Sequence, residues 1–136
     1  MSHISAMIDS HPSRTRLDLS ALAETVQELF ECSETCTSCA DACLAEADVA
    51  PLVRCIRLNL DCADVCATTG RILLRQTEPA VGLLRAQLEA CAEACRTCAA
   101  ECERHAGHME HCRICAEACR RCVAACEKLL AELPAA

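Results

Sequence analysis

Cysteine recurs at intervals of three and four residues in four separate stretches of this chain, and that spacing restricts the fold more than any other feature. Cys32, Cys36, Cys39 and Cys43 form one set, and Cys55, Cys62 and Cys66 a second. Cys91, Cys95, Cys98 and Cys102 form a third, and Cys112, Cys115, Cys119, Cys122 and Cys126 a fourth. Residues three and four apart lie on one face of an α-helix. Each stretch is therefore expected to be helical, with all its thiols on one side. The positions between them are alanine or charged, among them Glu34, Asp41, Glu93, Arg96, Glu101, Arg113 and Arg120. The thiol side faces inward.

The segments around these stripes agree. Ala, Leu, Glu and Arg dominate, and the β-branched and aromatic runs of a strand are missing, so the fold class is all-α. A polar tail is expected over 1–16, followed by a bundle domain over 17–136. Helices are expected at about 17–47, from Asp48 and Pro51 to about 76, from Thr77-Glu78-Pro79 to about 105, and from Gly107 to about 133. Asp18 or Ser20 is expected to cap the first, and Asp48 the second. Four long helices on short loops form an up-down-up-down four-helix bundle. The stripes also duplicate: Cys32, Cys36, Cys39 and Cys43 reappear 59 residues later, and Cys55, Asn59, Cys62 and Cys66 correspond to Cys115, Cys119, Cys122 and Cys126. The bundle is thus two copies of one helical hairpin.

Sixteen cysteines in 136 residues exceed the ~8–10% that marks a disulfide scaffold in a short secreted chain. That reading needs export, and Met1 to Ser20 shows no apolar core followed by a cleavage site. A cytoplasmic location is expected, where thiols are ligands or redox groups. No apolar run approaches the ~18 residues of a membrane helix, and a net charge of −7 argues against nucleic acid as a partner. Disulfides within a stripe are too strained, because same-face neighbours keep Cβ atoms about 5–6 Å apart and a disulfide needs about 3.5–4.5 Å. Simple packing explains one or two buried cysteines. Sixteen small thiols would instead leave a channel that close packing forbids unless something fills it.

Metal fills it best. Soft thiolates select Cu(I), Zn(II) or iron–sulfur clusters. Four Zn(Cys)4 sites would each bury a net charge of −2, a costly arrangement in a dry core. Cu(I) takes two or three thiolates, and about one ion per thiol with sharing leaves the core near neutral. A zinc or mixed-metal buffer remains the alternative. A thiol redox enzyme would need accessible low-pKa cysteines, and one buried face for all sixteen argues against catalysis.

The two ends of the stripes differ. Leu22, Leu29, Leu73, Leu84, Leu88, Leu129 and Leu133 extend them at one end as an apolar plug. At the other, His105 and His108 continue the stripe and His111 and Met109 share the turn, so Cu(I) is expected to enter there. Asn59 faces the core as a polar spacer or weak ligand. His3, His11, Met1 and Met7 lie in the tail and carry little weight. A second apolar stripe, Leu19, Val26 and Phe30 with Leu58, Val65 and Ile72, either widens the core or buries a second copy of the chain.

The C-x3-C-x2-C-x3-C runs on the first and third helices, the C-x2-C-x3-C-x2-C-x3-C run on the fourth and the histidines at one mouth resemble the bacterial copper storage proteins. The match spans about 17–133, and the missing signal peptide makes it similar to the cytosolic branch. The resemblance implies a homotetramer of bundles, each storing many Cu(I) ions on its cysteines, with His105, His108 and His111 as candidates at the mouth. A copper chaperone or small-molecule thiol would be the donor. Asn59 and Leu52 stand where the duplicate has Cys119 and Cys112, which leaves the second helix three thiols.

Overall fold

Asp18 starts the bundle: its carboxylate accepts from the Ala21 backbone N–H at 2.8 Å, satisfying one of the free donors of the first turn. The computed structural model describes residues 2–134. Met1 and residues 135–136, the end of the expected bundle domain, lie outside them. The helices are α1 (His3–Asp9), α2 (Leu19–Leu44), α3 (Val53–Leu73), α4 (Val81–His105) and α5 (Glu110–Glu132), with a 3-10 turn at Ala50–Leu52. Helices α2 and α3 pair as one hairpin and α4 and α5 as the other, while α5 closes on α2 and α4 on α3. Each long helix thus packs on two neighbours around a ring, the up-down-up-down bundle of the duplicated hairpins.

The starts of α3 and α4 differ from expectation. Asp48 caps nothing: Val49 precedes the 3-10 turn, which accommodates Pro51 in its first residues, and Leu52 precedes α3 without a side-chain cap. At the next connection Glu78 adopts φ 49°, a left-handed bend before Pro79, and Ala80 precedes α4. Both helices therefore begin later than the Pro-containing grammar suggests. Packing against their neighbours, not end-capping, holds these termini.

Within the expected tail, residues 3–9 form the short helix α1. Ser2 caps α1 by accepting from the Ser5 N–H, and Gln27 on α2 donates to both the Ser2 and Ser5 hydroxyls at 2.7 and 2.8 Å. Ile8 is buried beneath it. A seven-residue helix is marginal alone; contact with α2 makes it form.

Every leucine of the expected plug is buried. The second apolar stripe belongs to the same core for the most part. Val26 is fully enclosed, and Leu19, Phe30, Val65 and Ile72 pack against the core. A Cβ at Gly70 would lie 3.0 Å from Phe30 Cζ, so glycine here lets the single aromatic ring sit between α2 and α3. No helix among the described residues is long and apolar enough to cross a membrane.

Candidate metal centre

The helical stripe brings all sixteen cysteines inside, all of them free thiols and all buried. Along a helix, Cys32–Cys36 and Cys62–Cys66 bring their sulfurs to 3.8 Å. Between helices, Cys66 Sγ lies 3.5 Å from Cys95, Cys36 3.6 Å from Cys119, and Cys115 3.6 Å from Cys36. These separations are far beyond the ~2.05 Å of an S–S bond and suit sulfurs that share one metal ion.

The groups that converge on common points overlap. Cys32, Cys66, Cys95 and Cys122 form one, Cys32, Cys36, Cys62 and Cys119 another, and Cys36, Cys98, Cys115 and Cys119 a third, each within 4.8 Å. Cys39, Cys102 and Cys115 continue the chain of clusters toward the other end. Because Cys32, Cys36, Cys119 and Cys115 each belong to two groups, the interior is a continuous sulfur column. Separate four-thiolate cages would divide these ligands instead of sharing them. At the histidine-bearing end, burial pushes the Cys112 thiol up to about 12, and Cys43 is raised for the same reason.

Asn59 sits within the column, fully buried. Its amide nitrogen donates to the Cys55 carbonyl at 2.8 Å and to the sulfurs of Cys55 and Cys102 at 3.3 and 3.4 Å. Its carbonyl accepts from Cys115 at 2.9 Å and Cys98 at 3.3 Å. Its amide thus contacts the sulfurs of Cys55, Cys98, Cys102 and Cys115. Asn59→Cys, the residue its duplicate carries, is expected to destabilise the metal-free protein by about 1–2 kcal/mol through the lost amide contacts. It is expected to add about one Cu(I) to the saturating capacity, since one thiol is gained; anaerobic titration beside the unaltered protein measures this.

The mouth histidines separate. His111, placed by spacing as a neighbour in the turn and by the resemblance as a candidate at the mouth, is the one that meets sulfur. Its Nδ1 lies 3.4 Å from Cys39 Sγ and 3.6 Å from Cys112 Sγ, and it groups with Cys39, Cys43 and Cys112. Its Nε2 lies 2.8 Å from a Glu46 carboxylate oxygen. A carboxylate accepts, so Nε2 donates to it, and Nδ1 is the nitrogen directed at the thiols. His105 is buried, but its Nε2 pairs with Glu101 at 2.9 Å, and Arg104 holds the other Glu101 oxygen at 2.8 Å. Burial raises the Glu101 carboxyl, and these two contacts outweigh it, leaving it below its ordinary value. His108 is exposed and rests edge-on against His105, ring centroids 6.2 Å apart. Glu101 stands in the sequence as a charged flank four residues before His105, the spacing of a helical pair, whereas nothing local marks Glu46, which orients a histidine 65 residues away.

A four-helix bundle with an unbroken thiol column defines a metal-thiolate protein of the storage class. The sequence profile of the copper storage protein family matches residues 18–131, and the chain belongs to that family. Among solved structures, it is similar to the Streptomyces lividans copper storage protein Ccsp loaded with 10 copper equivalents, at 47% identity over 96% of this chain and 99% of that one, TM-score 0.94. A second structure, of copper loading to a cytosolic copper storage protein from Streptomyces lividans with five coppers, is 52% identical over 85% of this chain and 96% of that one, TM-score 0.83. An uncharacterized cysteine-rich protein of Bacillus subtilis strain 168, YhjQ, is 32% identical over 65% of this chain and 76% of its own length.

Proposed function

We propose that this protein is a cytosolic copper store that holds many Cu(I) ions on its core thiolates and catalyses nothing. The observation that carries the reading is the overlap of the sulfur clusters: shared thiolates neutralise monovalent ions along the column, whereas isolated divalent cages would bury repeated net charge. The storage domain spans 17–136, and the ligands are the sixteen cysteines together with His111. His105 and His108 belong to the approach at the mouth, and Asn59 spaces the column. Similarity to a cytosolic relative supports the location. The half-buried Leu58, at the rim of the second stripe, supports assembly with further copies as a homotetramer, and a chaperone or small thiol would bring the metal.

Zinc is the competing cargo, because sulfurs 3.5–3.9 Å apart also suit a tetrahedral Zn(Cys)4 site with bonds of about 2.3 Å. Anaerobic titration of the fully reduced protein with Cu(I), and with Zn(II) in parallel, separates the two. Saturation above about eight Cu(I) per chain is expected, against a ceiling near four for unshared zinc sites. A Cu(I) capacity under that figure, or release of bound copper by Zn(II), would overturn the storage reading.

A further inference from the structure

We propose that the leucine end of the bundle carries a binding site for a small amphiphilic anion, an aromatic or hydrocarbon body with one hydrogen-bond donor and an acidic group. The inference goes beyond copper storage and uses none of the thiols. The site is the cleft that α1 roofs. Ile4, Met7 and Ile8 of α1, Leu19 and Leu22 of α2, and Leu74 just past α3 line an open cavity of about 260 Å³. The bonds from Gln27 to the Ser2 and Ser5 hydroxyls hold α1 in place over it. Met7 lines the cavity and is still 67% exposed, which sets a flexible, polarizable side chain of the roof between cavity and solvent.

A second compartment of about 250 Å³ adjoins the first and shares Ser13, Thr15 and Gln76 with it. Gln76 is the decisive residue. It is 5% exposed, and its amide nitrogen donates to the Leu73 carbonyl at 2.7 Å, which fixes the amide. Its Oε1 is left without a partner, the one buried side-chain nitrogen or oxygen so placed among the described residues. Buried polar groups are almost always hydrogen-bonded, and an unpaired acceptor on a cavity wall calls for a donor. The polar neighbours in the lining are engaged elsewhere: His11 Nδ1 meets the Ser13 backbone, and Thr15 Oγ1 accepts from the Leu17 N–H.

The second compartment sets the charge. Arg14 and Arg16 line it, both exposed, with Glu78 as the one carboxylate beside them. Among the described residues neither arginine lies within ion-pair distance of a carboxylate. Arg14 Nη1 donates instead to the Asp9 carbonyl at 3.2 Å. Two guanidiniums against one carboxylate leave a local positive excess in a chain of net charge −7, and that favours an anion here. The order along the cleft follows from its walls: apolar body among the isoleucines and leucines, donor at Gln76, acidic group at the arginines. Together the two compartments fall within the ~300–1,000 Å³ of small-molecule sites.

The test titrates the full-length, reduced protein with the 2,6 isomer of anilinonaphthalene sulfonate, whose N–H lies between an apolar ring and the sulfonate-bearing one, and follows its fluorescence. Saturable binding of one probe per chain is expected. The N-methyl analogue, which lacks the donor, is expected to bind at least about fivefold more weakly. Gln76→Met is expected to weaken the parent probe by at least about fivefold and to leave the N-methyl analogue within about twofold. Arg14→Ser/Arg16→Ser changes only exposed positions. It is expected to weaken the sulfonate probe at least about threefold, while N-phenyl-2-naphthylamine, which carries no acid, stays within about twofold. Equal affinity for the parent probe and its N-methyl analogue, or a variant that weakens every probe alike, would mean adventitious adsorption to apolar surface and overturns the site. Binding that emerges only when dilution separates copies of the chain overturns it too, since another copy would then fill the cleft. Copper capacity is read separately, so a failure of the storage reading leaves this titration untouched.

Discussion

Filling the reduced protein with Cu(I) is expected to raise its unfolding temperature by at least about 20 °C. The metal-free core is held by weak sulfur contacts and by Ala and Leu packing, with Phe30 as its one aromatic ring. Ions that bind the folded column and not the unfolded chain stabilise by about 4 kcal/mol per site at a thousandfold excess over the dissociation constant. In a domain of this size each kcal/mol raises the midpoint by about 2–8 °C. Several sites acting together exceed 20 °C even after the unfolded thiols have taken their share of metal. Calorimetry of the reduced protein with and without copper, under anaerobic conditions, checks this. A shift under about 5 °C would mean that the ions are not held by the folded core.

Leu129→Ala is expected to lower the metal-free stability by about 2–5 kcal/mol and to leave copper capacity as it was. Leu129 is fully buried in the plug, one turn beyond Cys126, beside Leu22, Leu88 and Leu133 in the same core. Truncation removes burial and leaves a cavity in a layer without flexible neighbours to fill it. No ligand is lost, so saturation with Cu(I) stays at the original value. Leu83→Ala, on the exposed face of α4, is the control and is expected to change stability by less than about 0.5 kcal/mol. Denaturant unfolding of the three proteins decides it. A large loss of capacity in Leu129→Ala would show that the plug shapes the metal sites as well as the fold.

The His111–Glu46 pair illustrates where sequence reading stops. His105 and His108 extend the cysteine stripe by the same three- and four-residue steps, so they rank ahead of His111 from spacing alone. In the structure His105 is engaged by Glu101 and His108 lies outside it, while His111 reaches across to Cys39 on α2. Position 111 flanks the stripe at the first turn of α5, and only the rotation of α5 against α2 brings its ring over the seam. Glu46, beyond the end of α2, completes the arrangement from a loop whose path no periodicity describes. The N-terminal helix shows the same limit: Ile4 and Ile8 are too few to mark an amphipathic segment, and the two-turn helix exists because Gln27 and the α2 surface hold it.

The cysteine stripes, by contrast, were legible in full. A three-and-four spacing assigns residues to a helical face through local geometry, and sixteen such residues together with their duplicated register demand one thiol-lined interior closed by leucines. Asn59 could be placed in that interior from the duplication alone. Those properties follow from the chain's own helical period. The histidine that faces its sulfurs and the carboxylate that orients it were decided by the tertiary structure. They depend on how helices distant in sequence rotate and pack against one another, and the period of a single helix carries no record of that angle.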